Sequence, residues 1–247
     1  MLGVVERGRG ASVTAALPYT AAVLAETGQV APGVGELNPP RFLATAPDGR
    51  PVLSVLEGGV ITAKQAVAGG APVQEALNRG GTRLIGDVLT MLGDTRRQVF
   101  HADLIQRPKL GGYTRMLNPP SCSRCVVLAG KWFGWNKGFQ RHPRCDCIHI
   151  PTAEALAGEF TLNPREYFDS LSKAEQDATF TKSGARAIRD GADVGRVVNR
   201  QRMPTAISGR GRNKAARLTV DDIYRVAGTR ENAIRLLTTE GFILPSF

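Results

Sequence analysis

The sequence predicts a mainly α-helical protein with a small β-hairpin insert of Cys and His residues, a zinc-ribbon-like piece that makes the class α+β. Three observations predict it. Apolar residues recur at helical spacing over 60–106. Helix-capping residues punctuate the chain after Pro151. All four cysteines and two of the three histidines fall between Cys122 and His149. Aromatic residues are only 6 % of the chain, against 28 glycines and 15 prolines. The core must therefore come mainly from Ala, Val, Leu and Ile, which suits modest helices joined by many turns.

Residues 1–59 read as a weakly ordered N-terminal segment. A short helix is expected around Tyr19–Glu26, then a Gly/Pro loop from Gly28 to Pro40. Phe42–Val55, with Pro47-Asp48-Gly49 as a turn, reads as a hairpin or two extended pieces. Residues 60–116 form a helical region in which Val67, Val73, Leu77, Leu84, Val88, Leu92 and Val99 keep helical spacing. Gly69-Gly70, Gly80-Gly81 and Gly93 interrupt it, each costing ~1 kcal/mol against Ala in a helix interior. Two helices are expected, the longer near Arg83–Gln106.

Residues 117–152 are the Cys/His hairpin. They open on Asn118-Pro119-Pro120, which imposes extended or turn backbone. The stretch VVLAGKWFGWNKGF, with Gly130, Gly134 and Gly138, reads as a short hairpin carrying a loop. Cys145, Cys147 and His149 then alternate along a strand and share a face, with Asp146 and Ile148 on the other. Residues 153–203 are helical again, over Thr152–Glu159, Asn163–Leu171 and a longer stretch to Asp190. Ser172-x-x-Glu175 is a capping box for a helix over Lys173–Phe180, and Gly191 a C′ glycine. Residues 204–217 read as a basic flexible linker. Residues 218–247 form a C-terminal helical hairpin: Thr219 caps Val220–Ala227, and Thr229 caps Arg230–Thr239, closed by Gly241. It reads as a docking hairpin before a DNA-reading helix-turn-helix.

The clustered thiols point to a local cross-link, either a metal or disulfides. Cys122-x2-Cys125 is a common half-site for Zn²⁺, and His142-x2-Cys145 can supply the other half. The ligand candidates are Cys122, Cys125, His142, Cys145 and Cys147, with His149 a less certain sixth. Six candidates exceed the four positions of a tetrahedral site, and the sequence leaves the choice open. Disulfides need an oxidising compartment. MLGVVERGRGASV holds no apolar stretch long enough for a signal peptide, and no segment reaches the ~18–20 apolar residues of a membrane span. The metal reading is favoured, with zinc as the inferred cofactor.

The net charge of +10 implies an acidic partner. The charge is segregated. Between Asp103 and Asp146 no acid occurs, yet Arg107, Lys109, Arg115, Arg124, Lys131, Lys137, Arg141 and Arg144 do, interleaved with Tyr113, Trp132, Phe133, Trp135 and Phe139. Between Asp193 and Asp221 the pattern recurs with Arg196, Arg200, Arg202, Arg210, Arg212, Lys214 and Arg217. Solvated faces usually mix their signs, whereas unmixed runs neutralise phosphates. Arg124, Lys131, Lys137, Arg141, Arg144, Arg210, Arg212, Lys214 and Arg217 are the candidate contacts to double-stranded DNA, independent of its sequence. The tryptophans are read as hairpin core before stacking platforms.

The segment LNPPSCSRCVVLAGKWFGWNKGFQRHPRCDCIHIP resembles the core motif of phage head-morphogenesis proteins of the Mu protein F-like type. Its form is Cys-x2-Cys, a Gly-containing apolar hairpin, then His-Pro-x-Cys-x-Cys. YFDSLSKAEQDATFTKSGARAIRDGADVGRVVNRQRM and the terminal LTVDDIYRVAGTRENAIRLLTTEGFI look like minor capsid proteins of actinobacterial tailed phages or prophages. The resemblance spans roughly residues 60–247. It implies a structural minor head protein in the virion, in the capsid interior or near the portal, and in the host cytoplasm during assembly. It implies portal or major capsid protein and DNA as partners, and no membrane. The family is not generally enzymatic. Two other classes compete. A zinc-dependent nucleic-acid-processing enzyme needs a Glu beside the ligands, and none lies between Glu75 and Glu154. A capsid maturation protease needs a nucleophile with a base, and only His101 lies outside the cluster. No catalytic residues are assigned.

Overall fold

A computed structural model describes residues 1–138, 145, 147–200 and 218–244. It is mainly helical with one small sheet, as the sequence predicts. The chain divides into two units, each made of separated stretches. The first is Met1–Arg115 with Trp132–Glu159, and the second is Met116–Lys131 with Phe160–Phe247.

The first unit departs most from expectation. Residues 1–59 are not weakly ordered: α1 (Leu2–Ala16) and α2 (Tyr19–Glu26) precede a 3-10 turn at Pro39–Leu43, and α3 (Val52–Ala68) already begins at Val52. The physical reason is anchoring. Val5 and Val13 share one face of α1 and are buried, Val5 with Leu56 and Met91, Val13 with Val99. Arg9 between them is buried too. Its guanidinium donates to the carbonyls of Phe42 (2.7 Å), Leu43 (3.3 Å) and Thr45, which fixes the 39–46 segment as turns and removes the expected hairpin. Burial lowers the pKa of Arg9, with Glu6 opposing the shift.

α4 (Val73–Ile105) runs unbroken for 33 residues, through Gly80-Gly81 and Gly93. The second helix therefore starts ten residues before the expected Arg83. Its glycines serve close approach instead of breaking the helix. A Cβ on Gly80 would lie 2.6 Å from the Gly59 carbonyl oxygen and 2.9 Å from the Ala63 Cβ. α3 and α4 thus touch backbone to backbone, and the packing outweighs the propensity cost. At about 1.5 Å per residue α4 spans roughly 50 Å. One after another along it lie the small cores around Leu56 and Met91, Val13 and Val99, and Phe100 and Tyr113.

The sheet has the order β2-β1-β3, with β1 (Gly112–Met116) central, β2 (Trp132–Gly134) and β3 (Ile148–Pro151) beside it. β1 and β2 are antiparallel, Tyr113 opposite Phe133. The 117–152 region is therefore not a self-contained hairpin: β2 and β3 do not pair, and the central strand comes from before the first cysteine. Gly112 makes this pairing possible, since a Cβ there would fall 2.4 Å from the Trp132 ring. The run after Cys122 is also helical instead of extended, as α5 (Ser123–Leu128). Val126 at its centre is wholly buried in the second unit's core, a stronger demand than the local Gly content.

The second unit follows its caps. α6 (Pro164–Ser170), α7 (Lys173–Phe180), α8 (Lys182–Arg189), α9 (Val194–Arg200), α10 (Val220–Val226) and α11 (Arg230–Thr239) surround Phe168, Phe180, Ile188, Val197, Ile223, Leu237 and Phe242. Ser172 and Glu175 form a capping box, as do Thr219 and Asp222. Gly191 (φ 104°) and Gly241 (φ 73°) end α8 and α11 in the left-handed region. Thr152–Glu159 was expected as a helix and is a 3-10 stretch at Glu154–Phe160. The C-terminal pair packs its apolar residues into this same core. The linker expected at 204–217 lies outside the described residues.

Candidate metal centre

α5 positions the first two thiols. Cys122 is its extended N-cap residue and Cys125 sits one turn on, a spacing that brings their sulfurs to 3.5 Å. Cys145 and Cys147 precede β3, both buried, with sulfurs 3.4 Å apart. Ile148 is exposed and His149 buried, so the alternation read from the sequence holds there, although the strand itself begins only at Ile148. No disulfide joins any of the four cysteines. Cys125, Cys145 and Cys147 form a buried group whose sulfurs all lie within 4.8 Å of one another, and this group can hold a metal ion.

The donor set fits a soft divalent ion. Thiolates at ~2.3 Å from a tetrahedral Zn²⁺ are separated by about 3.8 Å from each other. The observed 3.4 and 3.5 Å approaches are near that edge length. They are far from the ~2.05 Å of a disulfide.

Two arginines flank the thiol pair, one on its backbone and one on a sulfur, and the sequence singles out neither for that role. Arg97 of α4 donates to the carbonyls of Cys145 and, at 3.5 Å, Cys147, while Asp94 accepts from it at 3.0 Å. Arg115 of β1 is only 2 % exposed, and its Nη2 lies 3.6 Å from Cys145 Sγ. Arg115 belongs to the acid-free basic run but not to the nine candidate DNA contacts, and its burial removes it from any phosphate-facing surface. A guanidinium beside thiolate ligands offsets part of their negative charge and orients the sulfur, the role of an outer-shell partner. No sequence signal separates a buried arginine of this kind from a surface one.

His149 stands apart from the thiol group. Its ring stacks on Tyr113 at 4.5 Å and meets Phe100 and His101 edge-on at 5.5 and 5.4 Å. Its carbonyl accepts from the Tyr19 hydroxyl (2.9 Å), whose pKa burial raises. His101 is half-buried in α4 and belongs to this aromatic cluster, consistent with an ordinary helical histidine. His142 lies outside the described residues.

Of the nine candidate DNA contacts, three are described. Lys131 and Lys137 are exposed and Arg124 is half-buried on α5. Arg141, Arg144, Arg210, Arg212, Lys214 and Arg217 lie outside the described residues. Trp132 is part of the sheet's packing: its indole N–H donates to the Thr152 carbonyl (2.9 Å) and its ring covers Gly112. Trp135 is 53 % exposed. Among the described residues no helix is long and apolar enough to cross a membrane. Comparisons with protein-family models, with curated proteins and with solved structures find no match.

Proposed function

We propose that the chain is a structural minor head protein of a tailed phage or prophage, built around a zinc site and in contact with packaged DNA and with portal or coat subunits. The observation that carries the reading is the buried thiol group. Cys125, Cys145 and Cys147 come from both halves of the string that resembles the Mu protein F-like motif, and they sit together as ligands would. Zinc is the proposed ion, with Cys122 or His142 completing the four positions. The chain's residues supply an all-sulfur or three-sulfur donor set, which saturates the ion and suits a structural role over a catalytic one.

The reading is tested in purified particles. Mass spectrometry should find the chain at a stoichiometry well below that of the major coat protein, and absence from the particle refutes the head-protein reading. Metal analysis of chain purified without chelator should return about one zinc per molecule, and less than about half an equivalent removes zinc from the proposal. The DNA contact has its own test. If six cations meet phosphates, affinity should fall about 10³-fold between 50 and 200 mM salt, whatever the sequence of the duplex. A salt-independent affinity would assign the positive charge to an acidic protein surface instead.

A further inference from the structure

The α3–α4 hairpin carries more exposed apolar surface than its own packing uses. Val55, Leu56, Gly59 and Ala66 are the buried positions of α3. At 100° per residue, Leu53, Val60 and Val67 fall within about 40° of one another, beside that buried stripe and outside it. On α4, Val73, Leu77 and Ile85 repeat at intervals of four and eight. These six side chains are between 48 % and 65 % exposed. The two helices run antiparallel, with Gly59 against Gly80. Each stripe is displaced in the same rotational sense from the line of contact, so both face the same broad side of the hairpin.

We infer that this face is a self-association surface and that its occupant is a second copy of the chain, related by a two-fold axis close to Val60. Charge pattern argues for it. Glu57 and Lys64 are exposed and border the α3 stripe on one edge, seven residues apart. A two-fold axis through the midpoint of Val60 and Ile61 places Glu57 against the partner's Lys64, and Lys64 against the partner's Glu57. The same axis brings Leu53 within one residue of the partner's Val67. An isologous interface demands such self-complementarity, in which residue i meets j and j meets i. A different partner places no such condition on this edge. The other charges of this part of α4 pair among themselves, Arg79 with Glu75 and Arg83 with Asp87, on the side away from the stripe.

Area agrees. The six side chains expose roughly 550 Å² per copy, so two copies with their polar rim reach the roughly 1,200 Å² at which specific interfaces begin. An apolar patch of several hundred Å² is also at the upper end of what a monomer leaves open. The inference uses neither the metal site nor the DNA contacts and stands apart from the head-protein reading.

The test is sedimentation or light scattering on the full chain from about 1 to 100 µM. The wild type should dimerise in this range. V60R should be monomeric with an unchanged far-UV circular dichroism spectrum. E57K and K64E should each weaken the dimer at least about tenfold by setting like charges opposite one another. Mixing E57K with K64E should restore it, because both rim pairs are then complementary. Both charge variants sit at exposed positions, so they decide the matter even if V60R disturbs folding. A wild type that stays monomeric throughout, or a mixture no tighter than either variant alone, would overturn the inference.

Discussion

Two neighbouring glycines in α4 should respond to alanine in opposite directions. An alanine in a helix interior is favoured over glycine by about 1 kcal/mol, through the backbone entropy the unfolded chain loses. At Gly81 a Cβ meets nothing within 4 Å, so G81A should collect that gain whole. At Gly80 the same methyl falls 2.6 Å from the Gly59 carbonyl oxygen and 2.9 Å from the Ala63 Cβ. Ordinary contact begins near 3.4 Å, so α3 and α4 must part by about 0.8 Å or tilt, and overpacking of this size costs about 1–3 kcal/mol. The gain of about 1 kcal/mol offsets part of that, leaving G80A neutral to about 2 kcal/mol less stable than wild type. The two variants should therefore differ by about 1–3 kcal/mol. Urea titration followed by far-UV circular dichroism measures it, with equal m-values required before midpoints are compared. Equal stabilities, or G80A above G81A, would refute the backbone contact as the reason α4 keeps its glycines.

Other expectations are independent of that contact. Arg9→Met leaves the Phe42, Leu43 and Thr45 carbonyls without their donor, so it should cost about 2–4 kcal/mol and speed tryptic cleavage at Arg41. Unchanged proteolysis would assign the 39–46 turns to some other cause. Ser172→Ala should cost about 1 kcal/mol by removing the α7 capping box, read by thermal unfolding, while Ser170→Ala at the C-terminal end of α6 should cost less. The Asp222 carboxylate is held below its ordinary pKa of 3.8, first by the Thr219 hydroxyl and backbone N–H. A group depressed in this way stabilises the fold fully above its unfolded pKa and loses that contribution as pH falls through the folded value. The wild type's advantage over D222N should hence be constant from pH 7 down to about 5, begin to fall near pH 3.8 and be gone only below the lower folded pKa; an advantage that persists in strong acid would exclude the cap as its source. Cys125→Ser should abolish metal retention, whereas Tyr113→Phe should preserve it, by metal analysis of each variant after desalting.

Local signals proved most readable where they act within a few residues. Ser172, Thr219 and Thr229 each bond the backbone N–H three residues on, and helices start where those side chains say. The same holds for Gly191 and Gly241, whose positive φ ends a helix whatever surrounds it. Readings failed where a distant partner decides. Nothing near Gly80 announces Gly59, so a pair of glycines looks like a break until the second helix is in place. Nothing in VVERGRGASV announces that Arg9 will be buried among carbonyls more than thirty residues away. Strand β2 pairs with β1 because Gly112 admits the Trp132 ring, a cross-strand condition that a hairpin reading of residues 126–139 cannot contain.

The candidate centre divides along the same line, and the division bears on how its chemistry should be probed. Which residues carry the sulfurs was visible in their spacing, and the structure brings Cys125, Cys145 and Cys147 together. The electrostatic setting was not visible, because it is supplied by Arg97 from a helix and Arg115 from a strand, both far along the chain. Arg97 acts through backbone carbonyls and therefore on the position of Cys145 and Cys147. Arg115 faces a sulfur directly and therefore acts on the charge that a thiolate can keep when buried. Loss of the first should loosen the geometry at any pH, whereas loss of the second leaves the geometry and penalises the ionised ligands. The spacing of the cysteines therefore describes only the sulfurs of this group, and Arg97 and Arg115 describe the setting that holds Cys145 and Cys147.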